Sequence, residues 1–154
     1  MEKIDEKDIQ LLKALQKDAK QTIKELAQEI NLSPSPVFER VKRLEQEGYI
    51  KQYTIVLDAD KLHRGFTVFC QVKLKKHDKN VGYELVQAVQ NIDEVTECYN
   101  ISGDFDFLLK VQVRDMKHYQ DFVFNKLGSL DCIGGTHSTF AMAEIKNHLG
   151  VIID

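Results

Sequence analysis

Residues 32–50, LSPSPVFERVKRLEQEGYI, concentrate polar groups at spacings that could do chemistry. Read as a helix, the stretch turns Val37, Val41 and Leu44 inward. Ser35, Glu39, Lys42, Arg43 and Gln46 then face outward, with Arg40 at the edge. Hydroxyl, carboxylate and cation on one exposed surface form a donor and acceptor set that a helix can present to a groove. Two bland alternatives stand beside that reading. Small tri-helical units also serve as interaction modules, and a face bearing Lys and Arg is commonly just solvated. Elsewhere the sequence holds no nucleophile–base pair, no phosphate-cradling glycine loop and no metal cluster. Catalytic residues, cofactor and metal are therefore all read as none.

The elements around this stretch must position it. Asp5 announces a first helix, with Asp8 three residues later in a capping-box-like position. Ile9, Leu12, Leu15 and Ala19 are read as its apolar face, flanked by Leu11. Thr22-Ile23-Lys24-Glu25 is a capping box for a second helix, whose stripe is Ile23, Leu26, Ala27 and Ile30. Asn31-Leu32 forms a turn and Ser33 is placed to cap the third helix. Pro34 and Pro36 fall in its first turn, where backbone N–H groups have no helical partner. Gly48 is a ready stop, and Tyr49–Leu57 reads as extended chain leaving the helices.

From Phe66 the apolar period alternates between two and 3.6, which marks a second domain. Phe66, Val68, Cys70, Val72 and Leu74 share one face of a strand. A helix capped by Asp78 follows, carrying Val81, Leu85, Ala88 and Val89. Val95–Ser102 and Phe105–Val113 read as strands joined by a tight Gly103-Asp104 turn. Asp115 caps a further helix with Tyr119, Phe122, Val123 and Leu127 on its apolar side, and a last strand runs from about Gly135 to Lys146. Strand-helix-strand-strand-helix-strand is the split βαβ, ferredoxin-like order. Phe69 and Leu108 fall on the sheet's opposite face, an incompletely polar surface that suggests self-association.

Composition sets further bounds. Hydrophobic residues are 43% and charged residues 29% of the 154, which is globular. Residues 1–60 carry ten Lys/Arg against twelve Asp/Glu, and the rest eleven against twelve. Neither half is basic, so any nucleic-acid contact must come from a local patch. No apolar run approaches the roughly 18 residues that span a bilayer. Met1-Glu2-Lys3 lacks the apolar core of a signal peptide, so a cytoplasmic protein with no membrane partner is expected. Cys70, Cys98 and Cys132 include no Cys-x-x-Cys pair. Cys70 and Cys98, inside strand-like runs, are expected to be small buried hydrophobes.

In this arrangement the chain resembles the leucine-responsive/asparagine-synthesis (Lrp/AsnC, feast/famine) regulators. Residues 32–50, the YTIVLDADKLHRG segment after them and ECYNISGDFDFLLKVQV at residues 97–113 carry the resemblance. It implies an α+β protein: an N-terminal winged helix-turn-helix of three helices joined to a C-terminal ferredoxin-like βαββαβ domain with a four-stranded antiparallel sheet. The expected divisions are residues 1–50, 51–65 and 66–154 for DNA binding, linker, and sensing with assembly. The implied partners are double-stranded DNA, a small effector expected to be an amino acid, and other copies of the chain, as homodimers building tetramers or octamers.

Carried onto this sequence, the resemblance makes residues 33–47 the recognition helix, with Ser33, Ser35, Pro36, Glu39, Arg40, Lys42 and Arg43 as DNA-binding candidates. Ser33 and Ser35 suit phosphates at a helix N-terminus. Arg40, Lys42 and Arg43 suit phosphates or guanine. Glu39 suits cytosine, or a surface pair with Arg43. The implied effector site is the Gly103-Asp104 turn with Thr136, Ser138 and, more weakly, Asp115. Exposed amides would take the carboxylate of a zwitterion and Asp104 its ammonium. The turn also has a purely structural account, as does Asp115 as a helix cap. Only Met1–Ile4 precede the first helix, so a basic DNA-contacting arm is not expected. Siroheme decarboxylase subunits resemble these regulators too, but His63, His77, His118, His137 and His148 are scattered without metal-ligand spacing. A sensor or assembly module whose helices no longer bind DNA is the other competing reading.

Overall fold

A computed structural model describes residues 4–147 and 150–153 of the chain. Met1–Lys3 and His148 lie outside the described residues. Two compact units emerge, Met1–Val56 with Asn147–Asp154, and Leu57–Lys146. Residues 51–56 and the C-terminal end thus group with the helical unit. There the Gln16 side-chain amide donates to the Val151 carbonyl at 2.8 Å.

The first unit holds α1 (Glu6–Lys17), α2 (Ile23–Glu29) and α3 (Pro34–Gln46). Both expected capping boxes form: Asp5 with Asp8, and Thr22 with Glu25. Each satisfies helix-end N–H groups that have no partner inside the helix. The buried face of α1 differs from the expected one. It consists of Asp8, Leu11 and Ala14, while Leu12 and Leu15 are only half-buried and Ala19 is exposed. The helix ends at Lys17 before Ala19 can join the stripe, and the polar Asp8 occupies the turn that periodicity assigned to Ile9. Leu26, Ala27, Ile30, Val37, Val41 and Leu44 complete the core. Beyond α3 the chain passes through Gly48 at φ +77°, a left-handed position that terminates the helix at little cost for glycine.

The second unit holds β1 (Phe66–Leu74), α4 (Lys79–Val89), β2 (Val95–Asn100), β3 (Phe107–Val113), α5 (Met116–Asp121) and β4 (Ile133–Phe140). The four strands form one antiparallel sheet in the order β2-β3-β1-β4. Val68, Cys70, Val72, Leu109, Val111 and Val113 cover its inner face, packed with Leu85, Tyr119, Phe122 and Leu127. The last strand ends at Phe140 rather than near Lys146, and β2 and β3 are each trimmed at the turn joining them. After α5 the chain does not continue as an α-helix but widens into a π-helical segment, Phe122–Leu127. Cys70 is buried as expected, but Cys98 is exposed. It lies on the edge strand β2 opposite Leu109, so only one neighbouring strand shields it.

Candidate nucleic-acid interface and effector site

Ser33 is the N-cap residue of α3 by backbone geometry, yet its hydroxyl makes no capping bond. Pro34 and Pro36 follow in the first turn, and residues 33–36 are all exposed. Because the two prolines carry no N–H, the helix offers two hydroxyls and the Ser35 N–H at its start. Glu39 and Lys42 are exposed too. So is Phe38, at 52%, a residue the polar pattern gave no reason to single out.

Arg40 and Arg43 are placed differently from the rest of the candidate set. Arg40 Nη1 lies 2.7 Å from a carboxylate oxygen of Asp5 and 2.7 Å from Asp8 Oδ1. Arg43 Nη2 donates to Asp8 Oδ2 at 2.5 Å. Asp8 is fully buried, and the two arginine side chains are about a quarter exposed. One carboxylate thus caps α1 through the Asp5 backbone and holds two guanidiniums of α3. Burial pushes the Asp8 carboxyl up, but the bonds from Asp5, Arg40 and Arg43 outweigh it and hold it below the usual range. Lys7 adds a further tie, donating to the Ile30 carbonyl at the end of α2. Sequence reading found Asp8 only as a cap. Its second role depends on partners 32 and 35 residues away.

In the second unit Gly103 and Asp104 are exposed in the turn between β2 and β3. Gly103 has φ +123°, a conformation few other residues adopt. Asp106, two residues on, organises this turn. Its carboxylate accepts from Leu74 N–H at 2.8 Å, its carbonyl from Ile101 N–H, and its N–H donates to the Val72 carbonyl. His77 Nδ1 lies 3.0 Å from its other oxygen. The GDFD string contained Asp106, but nothing local marked it as the anchor.

Thr136 is exposed and pairs with Val72, which in turn pairs with Phe107, so it lies toward the turn's end of the sheet. It lines a 290 Å³ cleft with Lys75, Phe124, Leu127 and Gly135. Ser138, on the same face of β4, sits deeper, its hydroxyl 2.6 Å from that of Tyr119. Asp115 is not brought to the group. It follows Val113 at the far end of β3, roughly 20 Å of strand from Phe107. There its carboxylate accepts from His118 N–H at 2.8 Å as a helix cap. Among the described residues no cluster of His, Cys, Asp and Glu could hold a metal ion. None of their helices is long and apolar enough to cross a membrane.

Comparison with known proteins accounts for both units. Residues 4–51 match a winged helix-turn-helix DNA-binding family, and residues 67–151 match the Lrp/AsnC ligand binding domain. The leucine-responsive regulatory protein of Escherichia coli K12 is 36% identical over 150 residues, covering 97% of this chain and 92% of that protein. A Neisseria meningitidis transcriptional regulator solved in complex with L-methionine is 30% identical, with a TM-score of 0.93 over 97% of both chains. An AsnC family regulator from Agrobacterium tumefaciens, also 30% identical, gives 0.91 over 97% of both.

Proposed function

The chain belongs to the Lrp/AsnC family of DNA-binding transcriptional regulators with an effector-binding domain, and on that premise we propose that it is an amino-acid-responsive regulator working as a homo-oligomer. Residues 1–50 read DNA, residues 51–65 link, and the chain from residue 66 assembles and senses. The observation that carries this reading is the pairing, in one chain and in the same order, of both units with full-length relatives. The L-methionine bound by the Neisseria regulator supports an amino acid as the effector class.

On DNA, the exposed start of α3 enters the major groove. Ser33, Ser35 and Pro36 lie against the backbone, and Glu39 and Lys42 extend along the groove. Arg40 and Arg43, engaged with Asp8, brace that helix and reach a phosphate only from its flank. For the effector, the Gly103-Asp104 turn and Thr136 are the first contacts. Ser138 acts through Tyr119, and Asp115 serves as a cap. Dimers form through the open sheet face around Phe69, which is 37% exposed, and Leu108. They then build tetramers or octamers in the cytoplasm. A near-neutral reader needs that assembly, because several weak half-site contacts add up through effective concentration.

The test is binding to DNA upstream of the protein's own gene by fluorescence anisotropy, together with a thermal-shift panel of the twenty amino acids. A ligand that binds only the folded state must raise its melting temperature. Failure to bind that DNA would remove the first half of the reading. The absence of a shift for every amino acid at millimolar concentration would remove the second.

A further inference from the structure

We propose that Glu39 is the base-selecting residue of α3, its carboxylate accepting from the N4 amino group of a cytosine in the major groove. The proposal rests on the DNA-reading role of the first unit and deepens it. At about 100° per residue, the buried stripe Val37, Val41 and Leu44 fixes which side of α3 points away from the core. Ser35, Glu39 and Gln46 fall within roughly 30° of the direction opposite that stripe, with Lys42 and Arg43 flanking them at about 50° on either side. Arg40 lies farther round, about 110° from the outward direction, and Asp8 of α1 holds both it and Arg43.

Moving either arginine onto a base edge would leave a fully buried carboxylate short of a partner, which opposes such a rearrangement. The groove-facing line is therefore left to Ser35, Glu39 and Gln46, with Lys42 beside them. Glu39 and Lys42 have neither an ion pair nor a hydrogen bond among the described residues to hold them back.

A carboxylate accepts only. Cytosine offers an amino donor on the major-groove edge, while adenine sets the acceptor N7 beside its amino group and guanine offers acceptors alone. A carboxylate facing those edges therefore favours cytosine over the other bases. It also repels phosphates, and Lys42 on the next turn of the same face offsets that repulsion by contacting one.

The experiment is binding-site selection from a randomised duplex library with the full chain, its Glu39→Gln and Glu39→Ala variants, and Lys42→Ala. Circular dichroism confirms that each variant folds. The wild-type selection should contain one position per half-site that is cytosine on one strand. Glu39→Gln should convert that position to adenine, because an amide pairs with adenine N6 and N7. Glu39→Ala should relax it alone, erasing a preference of roughly ten-fold. Lys42→Ala should weaken every site alike and flatten the salt dependence by about one unit of slope. Identical selected sequences for wild type and both Glu39 variants would overturn the assignment while leaving DNA reading intact. A wild-type chain that selects no sequence would overturn both.

Discussion

Arg43 Nη2 donates to Asp8 Oδ2 at 2.5 Å, joining two helices across 35 residues of sequence. Asp8 is fully buried, so the pair belongs to the interior rather than to the screened surface. Breaking a buried pair by removing one charge costs far more than the pair's net contribution, because the remaining charge stays desolvated. Asp8→Asn keeps the size and a capping oxygen but removes the buried negative charge that both arginines share. It should destabilise the first unit by about 3 kcal/mol. Urea unfolding should show a lower midpoint with an unchanged slope. A midpoint within error of wild type would mean that the arginines are solvated and the clamp is incidental.

Glu94 sets an acid limit on the second unit. It is 6% exposed. Burial pushes its carboxyl up, but bonds from Lys126, the backbone and His118 prevail and hold it at about 2, against 4.5 for the free group. The depressed value means that the fold prefers the ionised form. Its contribution is complete above pH 4.5 and is lost as pH falls toward 2. The size is about 3 kcal/mol. Between pH 5 and pH 2, Glu94→Gln should lose stability less steeply than wild type. Parallel curves would place the acid sensitivity elsewhere.

At Gly103 the backbone itself is the test. Its φ of +123° disfavours any Cβ, although a Cβ there would meet nothing within 4 Å. Gly103→Ala should therefore cost about 2 kcal/mol through strain, without a clash. It should also lower the melting temperature by several degrees and reduce the thermal shift given by an amino-acid effector. A variant as stable as wild type would show that the turn relaxes freely.

The Tyr119–Ser138 contact at 2.6 Å can be isolated by a double-mutant cycle. Tyr119→Phe, Ser138→Ala and the double variant should give a coupling of about 1 kcal/mol. Because the Ser138 hydroxyl is engaged with Tyr119, Ser138→Ala should weaken an effector no more than Tyr119→Phe does. A much larger effect of the serine variant alone would mean that its hydroxyl swings out to the ligand.

Much of this architecture was legible because its signals are local. The Thr22 capping box, the prolines of α3, the alternation of β1 and the Gly103 turn each declare themselves within a few residues. The unread parts are those that distance creates. Asp8 looked like a cap and proved to be the anchor of two arginines, and Asp106 passed as one more residue of a strand entry. Cys98 sat in a good strand pattern, but that pattern could not tell an edge strand from a central one. Among the proposed site residues, the exposed line of α3 followed from its periodicity. Asp115 and the turn at Gly103, by contrast, fell at opposite ends of β3.

The π-helical segment Phe122–Leu127 has its own consequence. Its closing bond, from Gly128 N–H to the Val123 carbonyl at 2.8 Å, spans five residues instead of four. Phe122 and Leu127 are both buried, although an α-helix would set them about 140° apart. Widening the turn is what lets both anchors face the same core. An α-helix that gained one residue between Phe122 and Leu127 and kept both anchors inside would take this form. A chain shorter by one residue between Phe122 and Leu127 would return to ordinary helical spacing with the same two side chains inside, so length variation in relatives should collect here rather than in α4.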